Sequence, residues 1–397
     1  MVMSRVLIVV ERFYPEDFLV NDLASEWKRQ GHEVEVLTQV PSYPFDKIYD
    51  GYKNKMYQTT REFNDIPVHR VSTIFGYNTS VARKVLNYLH FGLLTSLWAL
   101  WNGRKFDKVF VYHTAALTMA SAVVPLKWVW RKHITIWTQD LWPDAVWGFG
   151  FKPSKWKASL LNAFVRFIYG RCDRIAVSCR RYVKRIKELT GRDAEWIPQW
   201  EPASMDLPEK TKGGEAVFMF AGNMGVPQNL ENVIAGFEKA QMKDSELWLV
   251  GGGVMFEPLK EKFGMLDNVR FCGRQPRSEM PKWFAQADVL IISLTDRYSL
   301  TLPGKFQSYI KTGKPLLGIL NGEARELIEE FKIGHVANPD DVDEIAAAFR
   351  RMRDAYKSGE WKAFGEGAKR LSDSMFDRSV LIGRLWGTES EHKGEMT

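Results

Sequence analysis

The side chain best placed for chemistry is Lys305. It closes the run Ser299-Leu-Thr-Leu-Pro-Gly-Lys305, in which Pro303 and Gly304 suit the first turn of a helix reaching Lys311. Open backbone N–H groups, a helix dipole and an ammonium would converge there on an anion, and a diphosphate fits best. A solvated lysine on a helix face is the plain alternative. Two glycine turns, Ala221-Gly-Asn-Met-Gly225 and Gly251-Gly-Gly253, each follow an apolar run. They let the backbone approach a ligand, or they are simply tight turns. A carboxylate comes from elsewhere. Asp140, in Thr138-Gln-Asp-Leu-Trp-Pro143, follows a strand-like run and is expected either to take a proton and bind a hydroxyl or to cap the next turn. Tyr14 and Pro15 end the run Glu11-Arg-Phe-Tyr-Pro15, where they either shape a ligand site or form an ordinary strand-to-helix turn.

These residues need strands that end together. Arg5–Val10, Glu33–Leu37, Val68–Val71, Lys108–Tyr112, His133–Trp137 and Arg174–Val177 are short apolar runs of the kind found in buried parallel strands. Helical patterns separate them. Around 198–215 the pattern fails in a polar stretch rich in proline, lysine and glycine. A second series follows, with strands predicted at Val217–Ala221, Glu246–Val250, Val269–Phe271, Val289–Ser293 and Leu316–Ile319 and helices between them. The expectation is an α/β chain with two Rossmann-like doubly wound domains facing a central cleft, where open α/β sheets bind ligands. Residues 1–200 form the first, 215–375 the second, and 376–390 a final helix.

Composition narrows the function. The chain has 397 residues and a net charge of +7, and residues 83–187 hold 19 basic and 4 acidic side chains. An anionic partner is expected for the first half. Nucleic acid is disfavoured because no binding motif accompanies the charge. The first strand lacks G-x-G-x-x-G, which argues against a nicotinamide enzyme. Three cysteines without a C-x-x-C pair argue against a disulfide frame or zinc site, and for a reducing compartment. No signal-like or membrane-spanning stretch is evident. The segment Arg83–Lys105 is apolar, aromatic and bracketed by basic pairs. It is expected to be either a helix packed on the sheet or one lying in a bilayer interface.

In order along the chain, Phe13-Tyr-Pro15, Gly31-His-Glu-Val34, Asp140-Leu-Trp-Pro143, Ala221-Gly-Asn-Met-Gly225, Val250-Gly-Gly-Gly253, Ala287-Asp288, Leu302-Pro-Gly-Lys305 and Gly313-Lys-Pro315 resemble glycosyltransferase family 4 (glycosyl transferase group 1, GT-B fold). The chain looks most similar to the branch with bacterial L-fucosamine-type transferases of O-antigen and capsule assembly.

The resemblance implies a retaining, metal-independent glycosyltransferase with no cofactor. The donor is a nucleotide-sugar, UDP-sugar first and GDP-sugar second, held by Gly222, Asn223, Gly225, Gly252, Arg274, Ser299, Leu302, Pro303, Gly304, Lys305 and Gln307. The acceptor is a polyprenyl-diphosphate-linked glycan meeting Tyr14, Pro15, Glu16 and Trp142, with Asp140 catalytic. A peripheral protein on the cytosolic face of the inner membrane, attracted to its anionic surface, would suit such an acceptor. This chain departs from the family where two glutamates usually stand, having Ser299 and Gln307, and where a basic pair is usual, having Asn223 and Gln228. Gln307 would then reach the donor ribose through one carbonyl acceptor. A sugar-nucleotide-binding subunit without catalysis is the alternative those departures raise.

Overall fold

The computed structural model describes residues 3–387 except 78, 149–153, 203–205, 212–213 and 300. Leu300 of the lysine loop, Lys212 and Gly213 of the linker, and 388–390 of the expected last helix lie outside the described residues. The chain divides into two units, Met1–Ile197 with Ile382–Thr397, and Pro198–Leu381.

The described residues of the first unit form eight strands: β1 (Arg5–Val10), β2 (Glu33–Gln39), β3 (Tyr57–Phe63), β4 (Ile66–Val71), β5 (Lys108–His113), β6 (His133–Thr138), β7 (Arg174–Val177) and β8 (Glu195–Trp196). Their order in the sheet is β3-β4-β2-β1-β5-β6-β7-β8. β1 lies at the centre because Val6 to Val10 can be buried on both faces. It pairs in parallel with β2 (Arg5 beside Glu33) and with β5 (Val6 beside Lys108). Among the described residues only β3 runs antiparallel, at the edge. The sequence reading omits β3 because Gln58-Thr-Thr-Arg-Glu62 is polar, as an edge strand facing water allows. The helices are α1 (Leu19–Arg29), α2 (Val81–Asn102), α3 (Val123–Trp128), α4 (Asp144–Gly148), α5 (Lys155–Tyr169) and α6 (Arg180–Thr190).

The second unit has six parallel strands, β9 (Ala216–Ala221), β10 (Ser245–Val250), β11 (Val269–Gly273), β12 (Val289–Ser293), β13 (Leu316–Ile319) and β14 (Gly334–Ala337). They are ordered β11-β10-β9-β12-β13-β14. Its core joins Phe218, Phe237 and Phe349, whose rings meet edge-on or tilted at 5.2–6.2 Å. The helices nearest the site are α7 (Leu230–Ala240), α8 (Phe256–Phe263), α9 (Met280–Gln286) and α10 (Lys305–Lys311).

Both sheets share one topological feature. The chain builds outward from the central strand in one direction, then returns and builds in the other. The reversal falls between β1 and β5 in the first sheet and between β9 and β12 in the second. The loops after these strand pairs diverge and leave a crevice at their carboxyl ends.

The polar stretch after Ile197 belongs to the second unit rather than lying between the two. Ion pairing holds it there. Lys210 Nζ lies 2.6 Å from Asp288, whose carboxylate also accepts from the Val217 amide at 2.9 Å, and Lys311 Nζ donates to the Glu201 carbonyl at 2.8 Å. The last helix, Arg378–Trp386, starts in the second unit and rejoins the first at Ile382. There Trp386 stacks on His32 at 3.7 Å, meets Trp27 edge-on at 5.2 Å, and carries Lys108 Nζ over its ring at 4.2 Å. Two aromatic pairs of this kind contribute about 0.5–1.5 kcal/mol each beyond area burial. Trp386→Ala is therefore expected to destabilise the first unit by about 2 kcal/mol. Denaturant unfolding followed at first-unit tryptophans checks this, and an unchanged midpoint would mean that the return segment holds nothing in place.

Candidate active site

In the second unit the crevice is walled by glycine. Gly222, Gly251 and Gly253 have φ of +130°, +138° and +148°, a region that side-chain-bearing residues rarely adopt. A Cβ at position 251 would stand 1.9 Å from the Gly222 carbonyl oxygen. The loops after β9 and β10 thus lie backbone against backbone, tied by Gly222 N–H to the Val250 carbonyl and Met224 N–H to the Gly252 carbonyl, both at 2.8 Å. Gly225 N–H donates to Gln228 Oε1 at 2.9 Å, closing the turn that leads into α7.

Lys305 enters from the other side of the reversal, at the start of α10 after β12. Tyr309, one turn on, pins that helix to β9. Its hydroxyl donates to the Ala221 carbonyl at 3.0 Å and accepts from the Ala221 amide at 2.9 Å. This fixes Lys305 beside Gly222, where an added Cβ would lie 2.9 Å from Nζ. The ammonium sits 3.6 Å above the Phe220 ring. Nζ is buried and has no hydrogen-bond partner among the described residues. Burial alone lowers its pKa from 10.5 to about 7. An unpaired buried ammonium is unfavourable, and an anion delivered to it would be bound strongly for that reason.

Asn223, Gly225 and Gly252 lie on the same two loops. Arg274, just after β11, is exposed and borders Gly252, where an added Cβ would meet its own at 3.7 Å. Leu302 is buried, Gly304 is exposed, and the Ser299 carbonyl packs on Gly322. Gln307 is placed differently from expectation. It is buried, and its amide nitrogen, in the orientation that satisfies its neighbours, donates to the Gly304 and Pro303 carbonyls at 2.9 and 3.3 Å. The amide therefore closes the lysine loop from within.

In the first unit Asp140 follows β6, and its Oδ2 accepts from the Ala115 amide at 3.0 Å. Ala115 follows β5 and has φ of +59°. The carboxylate thus ties the loop after β6 to the loop after β5. Burial raises its pKa, and the Ala115 N–H opposes the shift only in part. Glu11 and Arg12, directly after β1, are both buried and lie 3.1 Å apart. Burial raises the Glu11 pKa against the pull of Arg12. Tyr88 of α2 is raised by burial and then by the charges of Glu11 and Asp140. Glu11, Arg12, Tyr88 and Asp140 therefore share one electrostatic neighbourhood.

The sequence reading passes over Glu11, Arg12 and Tyr88 as functional groups. The signal for the first two was a charged pair directly after a wholly apolar strand. Glu16 proves to be buried. One oxygen accepts from the Ser42 and Tyr43 amides at 2.9 and 2.6 Å, and the other is buried without a hydrogen-bond partner among the described residues. Tyr14 packs on Phe63 at 4.9 Å while its carbonyl accepts from Arg70 at 2.6 Å; Tyr14, Pro15 and Trp142 remain part-exposed.

Gln307 gives a direct test of this geometry. Gln307→Glu would set a carboxylate against two carbonyl oxygens and remove the amide donor they share, the Pro303 carbonyl keeping the Phe306 N–H at 2.9 Å. It is expected to cost about 1–3 kcal/mol at neutral pH, with partial recovery in acid as the new carboxyl gains a proton to donate. Urea unfolding of the second unit reads this, and an unchanged midpoint would place the amide elsewhere.

Comparison with known proteins agrees with the two units. Residues 19–198 match the family described as "Glycosyl transferase 4-like domain" and residues 215–354 that described as "Glycosyl transferases group 1". "Putative colanic acid biosynthesis glycosyl transferase WcaI" of Escherichia coli (strain K12) is 24% identical over 360 residues, spanning 82% of this chain and 86% of its own. "Probable glycosyltransferase WbjE" of Pseudomonas aeruginosa is 26% identical over 240 residues, spanning 55% of this chain and 58% of its own. Among solved structures, Anabaena Alr3699/HepE in complex with UDP superposes with a TM-score of 0.68 at 14% identity, covering 97% of this chain and 99% of that one.

Proposed function

Because the chain belongs to the group 1 glycosyl transferases of family 4, with two GT-B Rossmann-like units, we propose that it moves a sugar from a nucleotide-sugar to a membrane-held glycan acceptor. The observation that carries this is the buried, unpaired ammonium of Lys305 beside a glycine-lined backbone. The donor diphosphate supplies the missing counter-charge, and Gly222 and Gly251 let the two loops and the Lys305 side chain pack closely around it. UDP is the first choice of nucleotide, supported by the UDP complex of the similar Anabaena protein, and GDP the second. Lys305, with Arg274 at the rim, supplies positive charge at the leaving group, so we read the reaction as metal-independent.

The acceptor is a polyprenyl-diphosphate-linked glycan on the cytosolic face of the inner membrane, where this chain acts as a peripheral protein. The polysaccharide role named for WcaI supports this reading. Its hydroxyl meets the first unit near Tyr14, Trp142 and Asp140. The bond from the anomeric carbon to the phosphate oxygen breaks, and a bond to the acceptor oxygen forms on the same face, keeping the configuration. The acceptor proton passes to Asp140, which burial makes a stronger base than an open carboxylate. A second reading, a donor-binding subunit without turnover, is favoured by one observation. Gln307 stands where the family carries a glutamate, and its amide is committed to the loop.

The deciding experiment incubates the purified chain with UDP- and GDP-sugars and a polyprenyl-diphosphate-linked acceptor, and follows product mass. Transfer supports the enzyme. Donor binding without turnover supports the subunit, and absence of donor binding overturns both. Asp140→Asn is expected to lower turnover by roughly 10²–10⁴ with donor affinity unchanged.

The affinity for UDP should depend on pH in a defined direction. The free-state pKa of Lys305 is lowered to about 7, and the bound diphosphate raises it again. Binding therefore takes up a proton above pH 7. Affinity is full below that value and should fall by up to about tenfold per pH unit above it. Calorimetry in buffers of different ionisation enthalpy measures the uptake. Lys305→Ala should weaken UDP binding by roughly 10- to 100-fold and abolish the slope. A wild-type affinity flat between pH 7 and 9 would remove Lys305 from the site.

A further inference from the structure

Helix α2 is built the wrong way round for a helix that faces water. Leu86, Leu89, Leu93, Leu97 and Leu100 recur in steps of three and four and are all exposed, Leu93 at 60% and Leu89 at 54%. The opposite face, turned into the fold, carries Asn87, Gly92, Thr95 and Ala99 beside Phe91 and Trp98 and no leucine. The buried Asn87 accepts from Ile74 N–H at 2.9 Å and from Gln39 Nε2 at 2.8 Å, and it donates to Gln39 Oε1 at 3.2 Å. Thr95 is buried, bonded to the Phe91 carbonyl, and a Cβ at Gly92 would strike the Thr118 carbonyl at 2.6 Å. A water-facing helix would put its leucines inward and its amides outward.

The stripe does not end with α2. The connections carrying α2, α3 and α5 all run from β4 toward β7 in one direction, so right-handed crossovers set these helices side by side on one face of the sheet. Contacts agree. Trp130, just past α3, donates its indole N–H to the Leu100 carbonyl at 3.0 Å, and Trp128 meets Phe167 of α5 edge-on at 5.8 Å. Trp101, Trp128 and Trp156 are 73%, 62% and 66% exposed on these three neighbours, and Leu160 adds a fourth large apolar group. Such a contiguous patch far exceeds the scattered apolar residues of an ordinary surface.

Charge identifies what covers it. Arg83, Lys84, Arg104, Arg131, Lys155 and Lys157 are exposed at the ends of these helices. The four acids within 83–187 offer them little opposition. Asp144 and Asp173 are paired with Arg185 and Lys127, Asp140 faces Ala115, and Asp107 accepts from Arg5 N–H. No described helix is long and apolar enough to cross a membrane.

We infer that α2, α3 and α5 form the seat on which this protein lies in an anionic phospholipid surface, leucines and tryptophans at the acyl boundary and basic ends among the headgroups. The inference rests on the proposed membrane-held acceptor and adds the surface that reaches it. It also gives α2 a second task, because Tyr88, on the same helix as the leucine stripe, lies in the neighbourhood of Glu11 and Asp140.

The test is flotation of the full chain with vesicles of phosphatidylethanolamine and phosphatidylglycerol, against phosphatidylcholine alone. The protein should float with the anionic vesicles, release as salt rises, and bind phosphatidylcholine weakly. The variant Leu89→Ser/Leu93→Ser/Leu97→Ser should lose roughly 10- to 100-fold in vesicle affinity. Arg104→Glu/Arg131→Glu should lose the preference for anionic lipid. UDP affinity, measured on the same samples, should be unchanged and reports a folded second unit, while tryptophan fluorescence reports the first. Unimpaired flotation of the leucine variant, or no flotation of the wild type, overturns the seat. So does light scattering that shows a dimer of this chain broken by the leucine substitutions, since a second copy would then be the occupant. Loss of flotation with UDP binding intact counts against the seat alone. Flotation without UDP binding counts against the donor reading alone.

Discussion

The Lys305 ammonium is buried over the Phe220 ring with no hydrogen-bond acceptor among the described residues, and the neighbouring elements hold its helix in place. Tyr309 anchors α10 to β9 through both polar groups of Ala221, so the helix start that carries Lys305 cannot move away from β9 without breaking two buried hydrogen bonds. Gln307 closes the loop in front of it, and the glycines behind it leave backbone where side chains would stand. Each element limits relaxation of the charge. Destabilisation kept in a fold in this way can be returned when a ligand of opposite sign arrives. That accounts for a site with so few polar side chains.

The first unit uses the same reversal of strand order with the opposite chemistry. Its central strand ends in Glu11 and Arg12, its neighbour β5 leads to the left-handed Ala115, and the next strand, β6, leads to Asp140. Glycine is replaced by titratable groups whose proton affinities burial has raised. A pair of units with a cation in one and elevated carboxylates in the other suits a reaction in which one partner sheds an anion and the other loses a proton.

Much of this architecture is legible in the sequence because buried parallel strands are written as uninterrupted apolar runs. β1, β5, β6, β9 and β12, the strands that carry the sites, are all visible for that reason. β3 is not, since an edge strand with one wet face needs no such run, and β8 and β14 are too short or too mixed to stand out. Lys305 and Asp140 are recognisable from their loop context. The inward turn of Gln307 and Glu16 is not: the first rests on how the side chain folds back onto carbonyls three and four residues earlier, the second on backbone amides brought from 26 residues away. The α2 segment shows why composition alone leaves two readings. Its apolar content is plain, but which face the leucines occupy relative to the sheet is decided by Asn87 finding Gln39 and Thr73 inside.

The return of the chain at Ile382 has a temporal consequence. The first unit is discontinuous, and the tryptophan that packs on His32 and Trp27 is separated from them by the whole second unit. On a ribosome adding about 5–20 residues per second, the aromatic surface around Trp27 waits on the order of 20–70 seconds for its last partner. During that interval the second unit, continuous in sequence, can complete itself. The nascent protein can therefore finish the half it began last before the half it began first.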